Sequence, residues 1–169
     1  MERKAPHGGW SMPYWNDDIA AFKTEELLGA EAMLLGRVTY EGLAAAWPTM
    51  KDEEGFAERM NGIPKYVVTS TLGTLEWSNS TRLDGDVGPS VGGLKDRVGG
   101  TILVNGSARL VHELGRLGLV DEYRLVVYPV VLGSGKRVFD GTFTKLDLTF
   151  ERRTSTGAVL IDYQIAAEQ

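Results

Sequence analysis

Three short segments of this chain share one pattern of residue types. Leu34-Leu35-Gly36-Arg37-Val38-Thr39, Val67-Val68-Thr69-Ser70-Thr71 and Leu103-Val104-Asn105-Gly106-Ser107 each run from an apolar pair into glycine, hydroxyl or small polar residues. Glycine lets a backbone approach an anion closely, and Arg37 adds a permanent charge with a forked set of donors. In open α/β sheets, ligands sit outside the carboxyl ends of strands, and phosphates settle on helix N-termini. Taken singly, each segment has an ordinary reading: Gly36 as a turn, Thr69-Ser70-Thr71 as a hydroxyl-rich loop, Gly106-Ser107 as a helix cap, Arg37 as a surface charge. Their recurrence at successive strand ends describes a nucleotide cradle of neither Walker nor Rossmann type.

Other residues carry weaker signals. Asp17 and Asp18 follow Asn16, which suits capping chemistry at the positive end of a helix. Tyr14, Trp15 and Trp47 suit either a stack on a flat heterocycle or an aromatic core. Glu41 reads as a helix surface charge, and His112, beside Glu113, as exposed and inert. There is no cysteine, which removes thiolate catalysis and cysteine-ligated metals. The two histidines, His7 and His112, lie far apart, so a zinc site is not expected. A formal charge of −5 argues against a nucleic-acid binder while leaving room for a local basic pocket. No apolar run reaches the ~18 residues of a membrane span, and the N-terminus lacks a signal-peptide core, so a cytoplasmic protein is expected.

These residues need elements to position them, and 169 residues are ample for one domain. The spacing predicts a helix from Asn16 to about Leu28 that carries Ile19, Phe22 and Leu27 inward and stops at Gly29. Ala32 to Leu35, Tyr66 to Thr69 and Thr101 to Val104 read as buried strands, and Thr81–Leu83 as an edge strand. Helices are expected over Thr39–Trp47, Asp52–Met60 and Val87–Val98, and again where Leu110, Val111, Leu114 and Leu117 recur. From Glu122 onward the pattern changes to long strands. These cover Tyr123–Val131, a segment alternating Leu146, Leu148 and Phe150, and a segment alternating Val159, Ile161, Tyr163 and Ile165, with a hairpin turn at Thr154–Gly157. The order implies one α/β domain with a mixed central sheet, parallel in front, antiparallel at its C-terminal hairpin and flanked by helices.

The segment Leu34-Leu-Gly-Arg-Val-Thr-Tyr-Glu41 resembles the Gly-Arg-x-Thr segment of dihydrofolate reductases. It is still more similar to the reductase domain of bacterial riboflavin biosynthesis and its stand-alone relatives. Val104-Asn105-Gly106-Ser107 and the block from Leu119 to Phe139 carry the same resemblance, which spans roughly Trp10 to Ile165. It implies a dihydrofolate reductase-like three-layer fold and NADPH as the hydride donor. Gly36, Arg37 and Thr39 would then meet the cofactor phosphates. Thr69, Ser70 and Thr71 would lie at the adenosine 2′-phosphate, and Asn105, Gly106 and Ser107 at the pyrophosphate. Asp18 falls at the position of the family's substrate-binding acid, with Asp17 as a competitor. The implied substrate is a small pteridine- or pyrimidine-like heterocycle; the alternatives are a catalytically inactive nucleotide-binding homodimer and a drug-resistance-type dihydrofolate reductase. A two-fold homodimer is expected around Tyr123–Val131 and Gly133-Ser134-Gly135. Relatives also open with a strand that precedes the segment matching Trp10, so either a longer natural N-terminus or a dimer partner that fills the gap is expected.

Overall fold

The computed structural model describes residues 9–52, 55–139 and 141–167. They form two compact units. One comprises the described residues of 24–120 and 138–142; the other comprises residues 9–23, 121–137 and 143–167.

The larger unit is built on a four-stranded parallel sheet. Its strands are β1 (Ala32–Gly36), β2 (Lys65–Val68), β3 (Ser80–Leu83) and β4 (Ile102–Leu103), in the order β3-β2-β1-β4. β1 is buried along its whole length, as its unbroken apolar run requires of a strand covered on both faces. Met33 and Leu35 point to one face, where they pack with Leu27 of α1 (Asp17–Gly29), Tyr40 of α2 (Arg37–Ala46) and Met60 of α3 (Phe56–Gly62). Leu34 points to the other, against Val91 and Leu94 of α4 (Val87–Val98) and Leu110 and Leu114 of α5 (Ala108–Arg116). This unit is therefore three layers deep. The edge position expected for Thr81–Leu83 is the one β3 occupies.

Inside the first of these cores lies a charge. Lys65 is 0 % exposed, and its Nζ donates to the carbonyls of Asn61 (2.9 Å), Ile63 (2.8 Å) and Ser78 (3.1 Å). The ammonium also stands 4.3 Å from the centre of the Trp77 ring. Trp77 in turn donates its indole N–H to Asn61 Oδ1 (2.7 Å) and its backbone N–H to the Tyr40 hydroxyl (3.0 Å). The network joins the end of α3, the approach to β3 and the first residue of β2. Burial pulls the Lys65 pKa down to about 8, because an ammonium removed from water loses its hydration.

The smaller unit holds an antiparallel sheet of β5 (Glu122–Val127), β6 (Leu146–Arg153) and β7 (Val159–Ile165), in the order β5-β7-β6. The first turns of α1 cover one face, burying Ile19 and Phe22 against Leu160 and Ala158. Asn16 caps α1, its Oδ1 accepting from the Ile19 amide at 3.1 Å. The hairpin turn closes where Thr154 donates to the Ala158 carbonyl (2.8 Å), and Gly157 takes the positive φ of +86° that the turn needs.

Four expectations are corrected. The parallel front and antiparallel back form two sheets rather than one mixed sheet, with no ladder joining them among the described residues. β5 stops at Val127 instead of reaching Val131, since Pro129 has no N–H to give to a ladder. The helix expected from Asp52 begins at Phe56, and the Asp52 carboxylate accepts from the amides of Phe56 (2.9 Å) and Ala57 (2.5 Å). Finally, Leu148 and Phe150 do not share a face. The register shifts between them, so Leu148 pairs with Tyr163 while Phe150 pairs with Asp162 on the opposite side and stacks on Phe22 (centroids 6.3 Å apart).

Candidate functional site

The carboxyl ends of β1, β2 and β3 open onto a cavity of about 800 Å³ that lies wholly within the larger unit. Gly36, Val68 and Leu83, the last residues of those strands, line it, and so do the starts of α2, α4 and α5. All three helices begin without a side-chain cap: α2 after Gly36, α4 after Asp86 and α5 after Ser107. An uncapped first turn leaves backbone N–H groups without intrahelical partners, and the macrodipole adds partial positive charge there.

The strand ends are packed too tightly for side chains at two points. A Cβ added to Gly36 would stand 2.8 Å from Ser107 Oγ and 3.4 Å from the Ser107 backbone nitrogen. The Gly36 φ of −78° is ordinary, so space rather than conformation favours glycine there. Gly106 has φ of +119°, and a Cβ on it would meet Thr39 Oγ1 at 3.2 Å, so conformation and space both exclude a side chain. The Gly36 amide points to the Gly106 carbonyl at 3.5 Å, and the Gly106–Ser107 peptide is cis.

Of the residues expected in a cradle, Gly36, Arg37, Thr69, Ser70, Thr71 and Ser107 line the cavity. Thr39, Asn105 and Gly106 do not, although Thr39 backs Gly106. Thr69 has a structural task, since its Oγ1 accepts from the amides of Thr71 (3.2 Å) and Leu72 (3.1 Å) and so closes the turn after β2. Arg37 reaches back to both carboxylate oxygens of Glu41 at 3.2 Å. Glu41 thus tethers the guanidinium at the mouth of the cavity.

The lining contains cations that the sequence reading passed over: Arg82, Arg109 and Arg116. Arg82 pairs with Asp84 (2.6 Å) and donates to the Leu72 carbonyl (3.2 Å), which holds it beside the Thr69–Thr71 turn. Arg116 pairs with Glu113 at 2.6 Å. Arg109 is exposed and has no ion pair among the described residues. His112, expected to be exposed and inert, is half-buried and lines the cavity. With four arginines against Asp84 and Glu113, the lining carries a net +2 on a chain of net −5. A signal was available in sequence: Arg109, His112 and Arg116 recur at helical spacing on α5, away from buried Leu110 and Leu114.

The acid candidate belongs to the smaller unit. Asp18 Oδ1 is 2.9 Å from the Arg152 guanidinium, and Asn16 Nδ2 lies 3.5 Å from Asp18 Oδ2 and 2.9 Å from Ser155 Oγ. Asp17 is exposed. Tyr14 packs on Tyr128 (6.1 Å), burial raises the Tyr128 pKa, and Trp47 packs in the core against Phe56 (5.3 Å). Trp15 is exposed. His7 lies outside the described residues.

A three-layer α/β unit with its cavity at the carboxyl ends of parallel strands, together with an antiparallel C-terminal sheet, is the architecture of the dihydrofolate reductase-like fold. The chain belongs to the RibD C-terminal domain family, whose model matches residues 4–161. It is 30% identical over 145 residues to the uncharacterized Bacillus subtilis protein YyaP, covering 83% of this chain and 77% of that protein. Among solved structures, a Shewanella sp. PV-4 protein named for riboflavin biosynthesis aligns with a TM-score of 0.69 at 12% identity, over 97% of this chain and 84% of its own. The dihydrofolate reductase of Enterococcus faecalis complexed with NADP(H) aligns at 0.55 and 14% identity, over 90% and 84%. At such identities the structural likeness is one of fold.

Proposed function

We propose that the protein is a cytoplasmic, NADPH-dependent reductase of a small pteridine- or pyrimidine-like heterocycle, and that the cavity of the larger unit holds the phosphate-bearing part of the cofactor. The observation that carries this reading is the conjunction of a cationic lining with the close packing of Gly36 against Ser107, both of which line the cavity. A reductase also fits the chain's membership of the RibD C-terminal domain family.

The residues fit the group. Arg37, Ser107 and the uncapped first turns of α2 and α5 suit a pyrophosphate, because N–H donors and a fixed guanidinium converge on one space. Ser70 and Arg82, beside the turn that Thr69 closes, suit a further phosphate on the adenosine. Bound NADPH supplies a hydride from its nicotinamide ring; the protein orients the rings and excludes water. Asp18 is the proposed substrate-contacting acid, and its ion pair with Arg152 positions the carboxylate.

Titration with NADPH and NADH, followed by calorimetry, tests the reading. Micromolar NADPH binding, tenfold or more tighter than NADH, is the expected result. Arg37→Ala and Arg109→Ala should each weaken it by about 10–100-fold, since a charge-assisted hydrogen bond contributes ~1.5–3 kcal/mol. Raising the salt should weaken binding to the wild type more than to either variant. Failure of both cofactors to bind would end the proposal.

One observation favours a second reading, a nucleotide-binding protein without catalysis: the Asp18 carboxylate is already engaged by Arg152. NADPH binding that is unaltered in Asp18→Asn, together with no hydride transfer by the wild type to any heterocycle of a pteridine and pyrimidine panel, is what that reading expects. Turnover lost in Asp18→Asn with binding retained excludes it.

A further inference from the structure

Three aromatic side chains meet at one end of the smaller unit. Val126 and Tyr128 both pack against the cluster of Ile19, Phe22, Ala158 and Leu160, so Tyr128 lies on the face that α1 covers. Its ring meets Trp10 edge-on, with centroids 5.1 Å apart at 87°, and meets Tyr14 at 6.1 Å and 65°. Trp10 and Tyr14 belong to the segment that leads into α1, and the hairpin turn pins that segment down. The Tyr14 carbonyl accepts from Thr156 Oγ1 at 2.7 Å, and Asn16 Nδ2 donates to Ser155 Oγ at 2.9 Å. The polar tips of the three rings stay outside this packing. Among the described residues, the Tyr128 hydroxyl, the Tyr14 hydroxyl and the Trp10 indole N–H have no hydrogen-bond partner. Half-buried tyrosines and tryptophans ordinarily find one. Tyr128 is half-buried, and because burial disfavours its phenolate, the hydroxyl keeps its proton at neutral pH and acts as a donor.

We infer that Tyr128 is a specificity-determining donor, which selects the heterocyclic substrate by a hydrogen-bond acceptor on its ring while Trp10 and Tyr14 wall the contact. The inference rests on the reading of the protein as a reductase of a flat heterocycle. Placement supports it. Asp18 lies in the first turn of α1, and its carboxylate meets Arg152. Arg152 pairs across the sheet with Leu160, and Leu160 with Val126, while Tyr128 follows Val126 on the same face. The acid and the phenol therefore belong to neighbouring rows at the same end of the unit. Their chemistry is complementary: a carboxylate accepts from a ring N–H, and a phenol donates to a ring nitrogen or carbonyl. Aromatic walls add faces on which a flat ring stacks. Packing alone gives no reason for the hydroxyl, since phenylalanine would fill the same space between Trp10 and Tyr14. A ligand that turns a donor toward this hydroxyl leaves both groups unpaired, and that is how such a site discriminates. None of the three aromatic residues lines the cavity of the larger unit, so this contact can be measured apart from the cofactor.

Calorimetric titration of the full chain with 2,4-dioxopteridine and 2,4-diaminopteridine, with and without NADPH, tests it. The first compound presents carbonyl acceptors where the second presents amino donors, and both have nearly the same shape. The wild type is expected to bind the dioxo compound about tenfold more tightly than the diamino compound. Tyr128→Phe should remove that preference by weakening the dioxo compound alone. It should also melt at the wild-type temperature, because the hydroxyl has no partner in the protein to lose. Tyr128→Leu, which removes the ring as well, should weaken both compounds. Equal affinity of the wild type for the two compounds, or no binding of the dioxo compound, overturns the inference. So does a preference that Tyr128→Phe leaves intact. A dioxo preference that Tyr128→Phe removes, in a protein that binds no NADPH, supports this contact and ends the cofactor reading instead.

Discussion

Valine at position 36 is expected to abolish cofactor binding, lowering NADPH affinity by more than 100-fold, while the protein still folds. Gly36 is the point where the end of β1 meets the segment leading into α5, and a Cβ there already falls 2.8 Å from Ser107 Oγ. Alanine can be accommodated if the serine hydroxyl rotates, although the Ser107 nitrogen at 3.4 Å limits the room. Valine adds two methyl groups that cannot be placed without separating the strand ends. Overpacking of this kind costs ~1–3 kcal/mol of stability, a tolerable loss for a domain. The cavity fares worse, because Gly36, Arg37 and Ser107 all line it and would move together. Calorimetric NADPH titration of Gly36→Ala and Gly36→Val checks this, with the alanine variant expected to lie between wild type and valine. Retained micromolar affinity in Gly36→Val would mean that the cofactor does not approach this strand end.

The largest loss of stability is expected for Lys65→Met, which keeps the bulk of the side chain and removes its charge. Asn61 O would still receive the Ser78 hydroxyl at 3.0 Å. The carbonyls of Ile63 and Ser78 would lose the ammonium that binds them at 2.8 and 3.1 Å. Leaving a buried acceptor unpaired costs ~1–3 kcal/mol, so the pair amounts to roughly 2–6 kcal/mol and a fall in Tm of roughly 4–24 °C. The pH dependence has a definite sign. The folded pKa of about 8 lies below the ordinary 10.5, so between these values the unfolded chain holds the extra proton. Stability contributed at this site is therefore lowest below about pH 8 and rises as the pH climbs toward 10.5. Thermal melts of wild type and Lys65→Met across that window isolate the effect from other titrating groups. A difference between the two proteins that stays flat from pH 7 to 10.5 would show that the folded and unfolded states hold this proton equally well.

Much of the architecture was legible in the residues. The unbroken apolar run Ala32–Leu35 is a buried strand, the helix over Val87–Val98 has the predicted bounds, and Asn16 caps the helix it precedes. These features rest on local chemistry: periodicity, capping and turn residues act within a few positions of one another. Six of the nine residues expected in the cradle line one cavity, because each sits at a strand's carboxyl end and the parallel topology gathers such ends on one edge.

Local pattern does not determine what converges from a distance. Arg82 on β3 and Arg109 and Arg116 on α5 look like ordinary surface charges along the chain; only the packing of α5 and the register of β3 turn them toward the same space. Lys65 sits in a strand whose alternation says nothing about the three carbonyls from two other segments that accept its hydrogen bonds. One extra residue at Thr149 inverts the faces of the rest of β6, sending Phe150 to the core side and leaving Glu151 and Arg153 beside the apolar rows Leu125–Ile161 and Val127–Val159. Local sequence set which segments are helix, which are strand and which strand ends carry glycine and hydroxyl residues, because those depend on neighbours in the chain. Only the tertiary structure decides which charges line the cavity, which lysine is buried and which face of the second sheet is left apolar, because those depend on register and packing between segments far apart in sequence.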